Sequence, residues 1–257
     1  MKFSIICRND EKSNKISDKI KKALIHTLDN DNPDIVIAVG GDGTLLKAFH
    51  SYPNAILFGV HTGSLGFYAN YGVNDVDLLI EAINNHSYSI ECMDLLNCKM
   101  VDYNDNVIIN NALNEITIVN PTKTLILDVY IDNAYFEKFR GTGMCISTPS
   151  GSTAYNKSLH GSVIDSTIKC MQLTEIAGIN SNAYRTLASP LVLSSDRSIK
   201  LFSDIPQDVY VTVDTVSYSA KDFKEISISY SNNVLKMGYS TSEGFFNRIN
   251  RTFLKNN

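Results

Sequence analysis

The most constraining stretch of the sequence is an apolar run that leads directly into a glycine-rich turn. Residues Ile35–Val39 are consecutive apolar side chains, and Gly40–Gly43 follow, with Asp42 among three glycines. Such a run predicts a strand that is buried on both faces of a sheet. After the turn, apolar residues recur at helical spacing and predict a helix: Leu45, Leu46, Ala48 and Phe49.

A strand-to-helix turn of this composition suits an anion. Unpaired N–H groups and the helix dipole both favour negative charge at a helix N-terminus. Glycine permits a left-handed backbone and a close approach of another group to the main chain. Asp42 would repel a phosphate, which favours a role in holding a metal or in accepting a proton from a hydroxyl. The alternative is an ordinary glycine-rich turn with a solvated aspartate.

Composition restricts the function classes. The net charge is −4 over 257 residues, and no basic run stands out, which argues against nucleic-acid or membrane-surface binding. Five scattered cysteines without a Cys-x-x-Cys pair predict reduced thiols, not a disulfide framework or a zinc site. The five histidines do not cluster at ligand spacing. Apolar segments are too short for a signal peptide or a membrane span, so we expect a cytoplasmic protein.

The first third of the chain alternates between strand-like and helix-like patterns. The predicted elements are strand 3–7, helix 15–28, strand 35–39, strand 55–60 and helix 75–84. This alternation is typical of a parallel sheet covered by helices. Ligands of such sheets bind beyond the carboxyl ends of the strands. A second glycine loop, Gly63–Gly66, follows strand 55–60 and should lie at the same edge as Gly40–Gly43.

From Tyr88 onward, short runs of branched and aromatic residues predict a mainly antiparallel β-structure. Asp132-Asn133 matches a two-residue hairpin turn. We also expect a helix at about residues 166–177 and a helical C-terminal tail that packs on the first unit. The predicted fold is therefore an α/β N-terminal domain with a parallel sheet and flanking helices, plus a mainly antiparallel β-sandwich. The predicted bounds are 1–90, joined by the tail 243–257, and 91–242.

Several well-known motifs are absent. No Walker phosphate loop and no Gly-x-Ser-x-Gly nucleophile elbow occur anywhere in the sequence. The dinucleotide fingerprint fails as well, because Leu46 stands where its third glycine would be. These absences disfavour P-loop nucleotidases, serine hydrolases of that type and hydride-transferring Rossmann enzymes.

A second polar cluster lies in the β-rich half. Ser147–Ser158 surrounds glycine with small hydroxyl residues, and it contains an aromatic ring, Tyr155, and a cation, Lys157. Small donors, a flat ring for stacking and a cation are suited to a nucleotide. A Ser/Thr-rich surface loop is the alternative interpretation. Arg140–Gly143 precedes the cluster, and the polar pair Asn114-Glu115 interrupts a strand-like stretch.

Four ordered motifs together resemble the bacterial NAD kinase family. They are Gly40-Gly41-Asp42-Gly43-Thr44, Gly63-Ser64-Leu65-Gly66-Phe67, Asn114-Glu115, and the segment Ser147–Ser158. The resemblance covers nearly the whole chain. It implies phosphoryl transfer from ATP, or from inorganic polyphosphate, to the 2′-hydroxyl of the adenosine ribose of NAD, giving NADP.

The resemblance also implies roles for individual residues. Asp42 would be the catalytic carboxylate, and the ATP phosphates would lie on Gly40, Gly41, Gly43 and Thr44. The residues implied in NAD binding are Asp42, Gly43, Lys47, Asn114, Glu115, Arg140, Thr142, Thr153, Ala154, Tyr155, Asn156, Lys157, Ser158 and Ala177. Mg²⁺ is expected to arrive with ATP, so no protein metal site is predicted. A homo-oligomer, either a dimer or a homotetramer, is implied, with Ile179 and Tyr184 serving a neighbouring protomer.

Two departures from the family pattern leave alternatives open. Many members carry Arg-Gly-Asp-Gly where this chain has Thr142, and a family glycine is replaced by Thr215. These changes predict weaker NAD binding and a changed preference between NAD and NADH. The alternative functions are a lipid kinase of the diacylglycerol type, which shares the Gly-Gly-Asp-Gly motif, and a dinucleotide-binding regulator without turnover.

Overall fold

The computed structural model describes residues 1–63, 66–203, 209–219, 223–240 and 244–254. The chain divides into two compact units. The first comprises residues 1–93 and 235–257, and the second comprises residues 94–234. The chain passes from one unit to the other within two long strands, Ser89–Asp102 and Phe223–Tyr239.

The first unit is an α/β structure. Its elements are β1 (Lys2–Cys7), α1 (Glu11–Ala23), β2 (Thr27–Leu28), β3 (Ile35–Gly40), α2 (Asp42–Ser51), β4 (Ile56–His61), a 3₁₀ turn (Val73–Asp75), α3 (Val76–Asn84), the start of β5 (Ser89–Asp102), and, at the C-terminus, the helix Phe245–Ile249 followed by a π-helical turn, Asn250–Leu254.

A parallel sheet forms the centre of this unit. Strand β1 pairs with β2 and β3, β3 pairs with β4, and all three pairings are parallel. Every residue of β3 is buried, as the apolar run predicts. Because parallel strands end at the same edge of a sheet, the turns that follow β1, β3 and β4 lie there together.

Helices cover both faces of the parallel sheet. Ile35, Ile37 and Val39 of β3 share one cluster with side chains of α1 and α3. Side chains alternate along a strand, so Gly59 of β4 belongs to the opposite face from Phe58. A methyl group on Gly59 would lie 3.1 Å from Cδ1 of Leu45 in α2. Helix α2 therefore packs on the face opposite to α1 and α3.

The first helix differs from its predicted range of 15–28. It begins at Glu11, because the carboxylate of Asp10 accepts the main-chain N–H of Ser13 and caps the helix. It ends at Ala23, and Leu24 is extended. Thr27 and Leu28 then pair with Lys2 and Phe3 as strand β2. Both side chains of β2 are exposed, so the apolar pattern beyond residue 24 does not correspond to a buried face.

The second unit consists mainly of antiparallel strands. They are the end of β5, β6 (Val107–Ala112), β7 (Glu115–Val119), β8 (Leu125–Ile131), β9 (Ala134–Gly141), β10 (Gly143–Ser147), β11 (Cys170–Ile176), β12 (Leu191–Ser194), β13 (Ser198–Phe202), β14 (Tyr210–Val213), β15 (Val216–Ser219) and the first part of β16 (Phe223–Tyr239), whose last residues belong to the first unit. A 3₁₀ turn (Ser150–Thr153) and α4 (Tyr155–Ser158) follow β10. We number the C-terminal helix α5.

Two sheets of this unit enclose one apolar core. One sheet has the order β12-β11-β10-β7-β14-β15, and the other contains β16-β13-β8-β9. Buried side chains from both sheets form a single cluster that includes Ile118, Val129, Met144, Leu173 and Ile228. The predicted fold class, an α/β unit with a mainly antiparallel β-sandwich, is confirmed.

The predicted helix at residues 166–177 is wrong. Cys170–Ile176 forms strand β11, which pairs with β10 on one side and with β12 on the other. Met171 and Leu173 enter the sandwich core, and Gln172 and Thr174 are buried on the opposite face. Burial on both faces removes the polar–apolar alternation by which a strand is normally recognised.

The hairpin prediction at Asp132-Asn133 is confirmed. These two residues connect β8 and β9, and both have positive φ, 50° and 66°. That conformation is the one required by a two-residue turn of type I′, in which asparagine and aspartate are favoured.

Candidate active site

The turn between β3 and α2 contains the predicted phosphate loop. Gly41 caps α2, and its carbonyl accepts the N–H groups of Thr44 and Leu45 at 2.9 and 3.2 Å. No glycine in the described residues has a positive φ, so a left-handed backbone is not the reason for these glycines. A Cβ on Gly40 would lie 2.8 Å from Cβ of Thr44, whereas one on Gly41 or Gly43 would meet none of the described residues within 4 Å. Packing therefore restricts position 40 to glycine, and the other two glycines border space that the described residues leave open.

The carboxylate of Asp42 is held by main-chain amides from the second glycine loop. Oδ2 accepts the N–H of Phe67 at 2.8 Å, and Oδ1 accepts the N–H of Tyr68 at 3.2 Å. A Cβ on Gly66 would lie 2.7 Å from Cγ of Asp42. The two glycine loops therefore meet at this carboxylate. Ser64 and Leu65 of the second loop lie outside the described residues.

The C-terminal segment packs against the same loop. Arg251 donates from Nη2 to the carbonyl of Gly66 at 3.3 Å. The ring of Phe67 contacts that of Phe245 edge-on, with 6.1 Å between the centroids. The guanidinium of Arg248, which is 2% exposed, lies 5.7 Å from the centroid of the Phe67 ring. Residues from the end of the chain thus support the loop that holds Asp42, as the predicted return of the tail requires.

Other predicted residues of the first unit lie on α2. Thr44 is half-buried beside Gly40, and Lys47 is exposed one turn further along the helix.

In the second unit, Asn114-Glu115 lies at the start of β7 and is fixed by Asp214. The carboxylate of Asp214 accepts the N–H groups of Leu113, Asn114 and Glu115 at 2.8, 2.8 and 3.2 Å. Asp214 belongs to the two-residue turn between β14 and β15 and has a φ of 53°. Thr215 has no positive φ, so the backbone does not require glycine at that position.

Glu115 is a buried carboxyl group with a perturbed pKa. Burial raises the pKa of Glu115 to about 8, and the charge of Asp214 adds to this rise. The main-chain N–H of Tyr155 donates to the carboxylate and opposes the rise. Oε2 is buried without a hydrogen-bond partner among the described residues. Strongly perturbed carboxyl groups of this kind are concentrated at functional sites.

The Ser147–Ser158 segment packs directly on Asn114-Glu115. Thr148 donates its main-chain N–H to the carbonyl of Asn114 at 2.9 Å and its hydroxyl to that of Leu113 at 2.6 Å. A Cβ on Gly151 would overlap the main chain of Asn114, so only glycine fits there. Two of the predicted motifs, separated by more than thirty residues in the sequence, are therefore in contact.

The side chains of this segment divide into exposed and buried groups. Tyr155 is 43% exposed, and Lys157 and Ser158 are exposed as well. Thr153 is buried and Ala154 is half-buried. Asn156 is fully buried, and its amide bonds to the carbonyls of Ser152 and Ser162 and to the hydroxyl of Thr174. In this structure Asn156 holds the segment together, while Tyr155 presents its ring to solvent.

Arg140, Thr142 and Ala177 lie where β9, β10 and β11 come together. Thr142 donates to the carbonyl of Ile176, and its own carbonyl accepts from Asn120, both at 3.0 Å. A Cβ on Gly141 would lie 2.8 Å from the carbonyl oxygen of Ala177, which has a φ of 47°. The guanidinium of Arg140 stacks on the Tyr184 ring of the same chain, 4.1 Å from its centroid. Tyr184 thus has a contact within its own protomer.

Three groups of residues at the candidate site are not identified by the sequence motifs. The amides of Phe67 and Tyr68 hold Asp42, and Asp214 fixes Asn114-Glu115, but neither contact has a local signal in the sequence. Arg8 directly follows β1 and lies beside Gly40. The rule that the strands of a parallel sheet end at one edge would have indicated Arg8.

Comparison with known proteins decides the family. Residues 2–88 match the family model for the ATP-NAD kinase N-terminal domain, and residues 109–237 match that for the ATP-NAD kinase C-terminal domain. The chain is 40% identical over 265 aligned residues to the NAD kinase of Staphylococcus aureus strain JH9, covering 99% of this chain and 98% of that protein. This chain belongs to the NAD kinase family. The resemblance inferred from the four motifs is confirmed.

Solved structures of NAD kinase family proteins share the fold. The crystal structure of yeast NADH kinase complexed with NADH has a TM-score of 0.85 and 18% identity, covering 97% of this chain and 86% of that one. The crystal structure of an NAD kinase from Archaeoglobus fulgidus in complex with ATP has a TM-score of 0.77 and 23% identity, covering 98% of each chain. In the part of the chain that the structure describes, no helix is long and apolar enough to cross a membrane.

Proposed function

We propose that this chain is an ATP-dependent NAD kinase that phosphorylates the 2′-hydroxyl of the adenosine ribose of NAD to give NADP. The observation that carries the proposal is the Asp42 carboxylate, held by two amides beside a glycine loop with open space, in a member of the NAD kinase family. The lipid kinase alternative has no support in these comparisons, because both family models and the curated relative are NAD kinases.

Asp42 is proposed as the catalytic base. In the reaction, the 2′-oxygen attacks the γ-phosphorus of ATP, the bond to the β-phosphate oxygen breaks, and ADP leaves. The proton of the hydroxyl passes to a carboxylate oxygen of Asp42, which would need to lie roughly 2.6–3.2 Å from the attacking oxygen. Each carboxylate oxygen has two lone-pair sites and accepts one amide hydrogen bond from the described residues, which leaves a lone pair to receive the proton.

The glycine turn is proposed to receive the phosphates of ATP. Gly41 and Gly43 border open space at the start of α2, where main-chain N–H groups and the helix dipole favour negative charge. Phosphoryl transfer depends mainly on alignment and charge neutralisation. Mg²⁺ enters as part of the MgATP substrate and retains water and phosphate oxygens as most of its ligands.

NAD recognition is proposed for the second unit. Asn114 and Glu115 would bind the dinucleotide, and the exposed ring of Tyr155 would stack on the adenine. The remaining proposed contacts are Asp42, Gly43 and Lys47 of the first unit, and Arg140, Thr142, Thr153, Ala154, Asn156, Lys157, Ser158 and Ala177 of the second. Because the amide of Asn156 is engaged in three hydrogen bonds, we propose that it acts by positioning its neighbours.

Further features remain proposals. We propose that residues 1–90 with the tail 243–257 carry phosphoryl transfer and that residues 91–242 carry NAD recognition. Glu243 and residues 255–257 of that tail lie outside the described residues. We also propose, from the family resemblance, that the protein is a cytoplasmic homo-oligomer, either a dimer or a tetramer.

The decisive experiment is a coupled assay with purified protein, NAD and MgATP, in which an NADP-specific dehydrogenase reports the product. NADP formation that depends on both substrates supports the proposal. Tight NAD binding without ATP-dependent NADP formation would contradict it and favour the regulator. Replacing ATP with inorganic polyphosphate, and NAD with NADH, measures the preferences for donor and acceptor.

A further inference from the structure

Arg8 lies at the edge of the parallel sheet where the two glycine loops begin. It directly follows β1, and its main-chain N–H donates to the carbonyl of Val39 at 2.8 Å. Strand β3 ends at Gly40, and β4 ends at His61. The strand pairing thus brings a cation from the start of the chain to the carboxyl edge at which ligands of parallel sheets bind.

The side chain of Arg8 is held in place by Asp10 and Thr62, and Ser13 connects these two residues. Nε donates to Oδ2 of Asp10 at 2.7 Å, and Nη2 donates to Oγ1 of Thr62 at 3.3 Å. The hydroxyls of Thr62 and Ser13 lie 2.7 Å apart, and Ser13 also donates to Asp10. Two different elements, the cap of α1 and the end of β4, therefore fix the guanidinium.

The terminal nitrogens of Arg8 face the glycine loops. A Cβ on Gly63 would lie 3.6 Å from Nη1 and 3.8 Å from Nη2 of Arg8. Cβ of Arg8 would lie 3.1 Å from a Cβ on Gly40, and next to Gly40 the Gly41 position borders open space. Half of the side chain is solvent-exposed. A permanent cation is thus adjacent to the proposed phosphate loop.

The ion pair with Asp10 does not prevent Arg8 from binding an anion. The hydrogen bond that Arg8 donates to Asp10 holds the pKa of Asp10 well below its usual range, so this carboxylate is ionised. Ion pairs with this degree of exposure are weak. Asp10 accepts from Nε and Thr62 accepts one N–H of Nη2, so these two bonds leave the N–H groups of Nη1 and the second N–H of Nη2 available for an anion. Arginine binds phosphate oxygens through such a fork, with charge-assisted hydrogen bonds.

We propose that Arg8 binds the phosphate chain of the phosphoryl donor and supplies positive charge at the glycine loop. This inference rests on the proposed function and extends it to a residue outside the four motifs. The ligand chemistry is a linear phosphate chain, as found in ATP and in inorganic polyphosphate. Arg8 contacts the donor in this proposal, and NAD recognition does not involve it.

The test compares Arg8→Gln with Lys15→Gln, which removes one charge from an exposed position of α1. Steady-state kinetics gives the KM for ATP and for NAD, and calorimetry gives the affinity for inorganic tripolyphosphate. Loss of a charge-assisted hydrogen bond should raise the KM for ATP and the Kd for tripolyphosphate about tenfold or more. The KM for NAD should stay within about twofold, and Lys15→Gln should leave all three constants unchanged.

Two further variants separate binding from folding. Arg8→Lys keeps the charge without the fork, so an intermediate KM for ATP is expected. Asp10→Asn keeps a good helix cap and removes the charge that competes with phosphate, so the KM for ATP should stay equal or fall. The proposal is overturned if Arg8→Gln leaves the KM for ATP unchanged, if it raises both KM values equally, or if Asp10→Asn raises the KM for ATP as Arg8→Gln does.

The experiment also distinguishes this proposal from the proposed function. If the wild-type protein makes no NADP, the proposed function fails, but the tripolyphosphate titration still tests Arg8. Equal affinity of wild type and Arg8→Gln for tripolyphosphate would overturn the role of Arg8 even where the wild type is an active kinase.

Discussion

Gly66 packs against the carboxylate of Asp42 so closely that a Cβ at position 66 would lie 2.7 Å from Cγ of the aspartate. The next two residues, Phe67 and Tyr68, donate their N–H groups to the same carboxylate. The second glycine loop is therefore the support of the proposed base. Its sequence is restricted by contact with Asp42, since none of the described glycines has a left-handed backbone.

Gly66→Ala should displace Asp42 while the protein remains folded. A misplacement of about 1 Å at a reacting group costs about 10²-fold in rate, so we expect kcat to fall by about that factor. Gly244→Ala is the matched control, because a Cβ there would meet nothing within 4 Å. Kinetics and circular dichroism check both variants. An unchanged kcat in Gly66→Ala would show that the loop does not position Asp42.

Asp42→Asn should fold normally and lose catalysis. An amide at this position accepts hydrogen bonds from Phe67 or Tyr68 but cannot take the proton of the hydroxyl. A general base contributes typically about 10²–10⁴ to the rate, so kcat should fall within that range with little change in the KM for NAD. Asp31→Asn, at an exposed position before β3, is the control. Near-normal turnover in Asp42→Asn would remove this residue from the mechanism.

Gly43→Ala should raise the stability of the protein and weaken its binding of ATP. Gly43 lies in the first turn of α2, and a Cβ there meets none of the described residues within 4 Å. Alanine in a helix is more stable than glycine by up to about 1 kcal/mol, so thermal unfolding should shift upward. If a phosphate approaches this glycine closely, the methyl group should raise the KM for ATP about tenfold, or ~1.4 kcal/mol. Raised stability together with normal kinetics would leave the glycine without a role in binding.

Local sequence patterns predicted much of the fold. Ile35–Val39 is a buried strand followed by a helix, and Asp132-Asn133 forms the expected hairpin, because each depends on neighbours in the sequence. The sequence pattern predicts a helix at residues 166–177, where the structure has the strand Cys170–Ile176. This strand is defined by its pairing with β10 and β12, which the local sequence does not contain. When both faces of a strand are buried, its residues no longer alternate between apolar and polar. The local sequence then carries no sign of pairing with strands that are distant in the sequence.

The same distinction applies to the candidate site. The motif identifies Asp42, but the amides of Phe67 and Tyr68 reach it from a different loop. Asp214 holds Asn114 across about one hundred residues of sequence, and Arg251 reaches Gly66 from the C-terminus. The sequence thus indicates candidate side chains for the chemistry, and tertiary contacts determine which groups hold them in position.

Glu115 should make stability depend on pH in a defined window. Burial raises the pKa of Glu115 to about 8, well above its ordinary value of 4.5. Below pH 4.5 the group is protonated in both states. As the pH rises towards 8 the unfolded chain releases this proton first, so stability from this group is progressively lost.

Glu115→Gln should remove that dependence. The variant should gain stability relative to wild type by about 1–3 kcal/mol as the pH rises from 5 to 8, because a neutral amide has no charge to bury. Denaturant unfolding at pH 5, 6.5 and 8 measures the difference, with the exposed Glu81→Gln as control. Parallel pH profiles of wild type and Glu115→Gln would show that Glu115 is not the group responsible.

Thr142→Asp should strengthen NAD binding by introducing the carboxylate that the family pattern leads us to expect at this position. The neighbouring Gly141 and Gly143 are packed against the main chain, and both main-chain groups of Thr142 are hydrogen-bonded, so a substitution should change the side chain without moving the backbone. A hydrogen bond to a charged group contributes about 1.5–3 kcal/mol, so the KM for NAD should fall about tenfold. Thr142→Asn, of the same shape without the charge, should give a smaller decrease. An unchanged KM for NAD in Thr142→Asp would refute the idea that Thr142 weakens NAD binding in this chain.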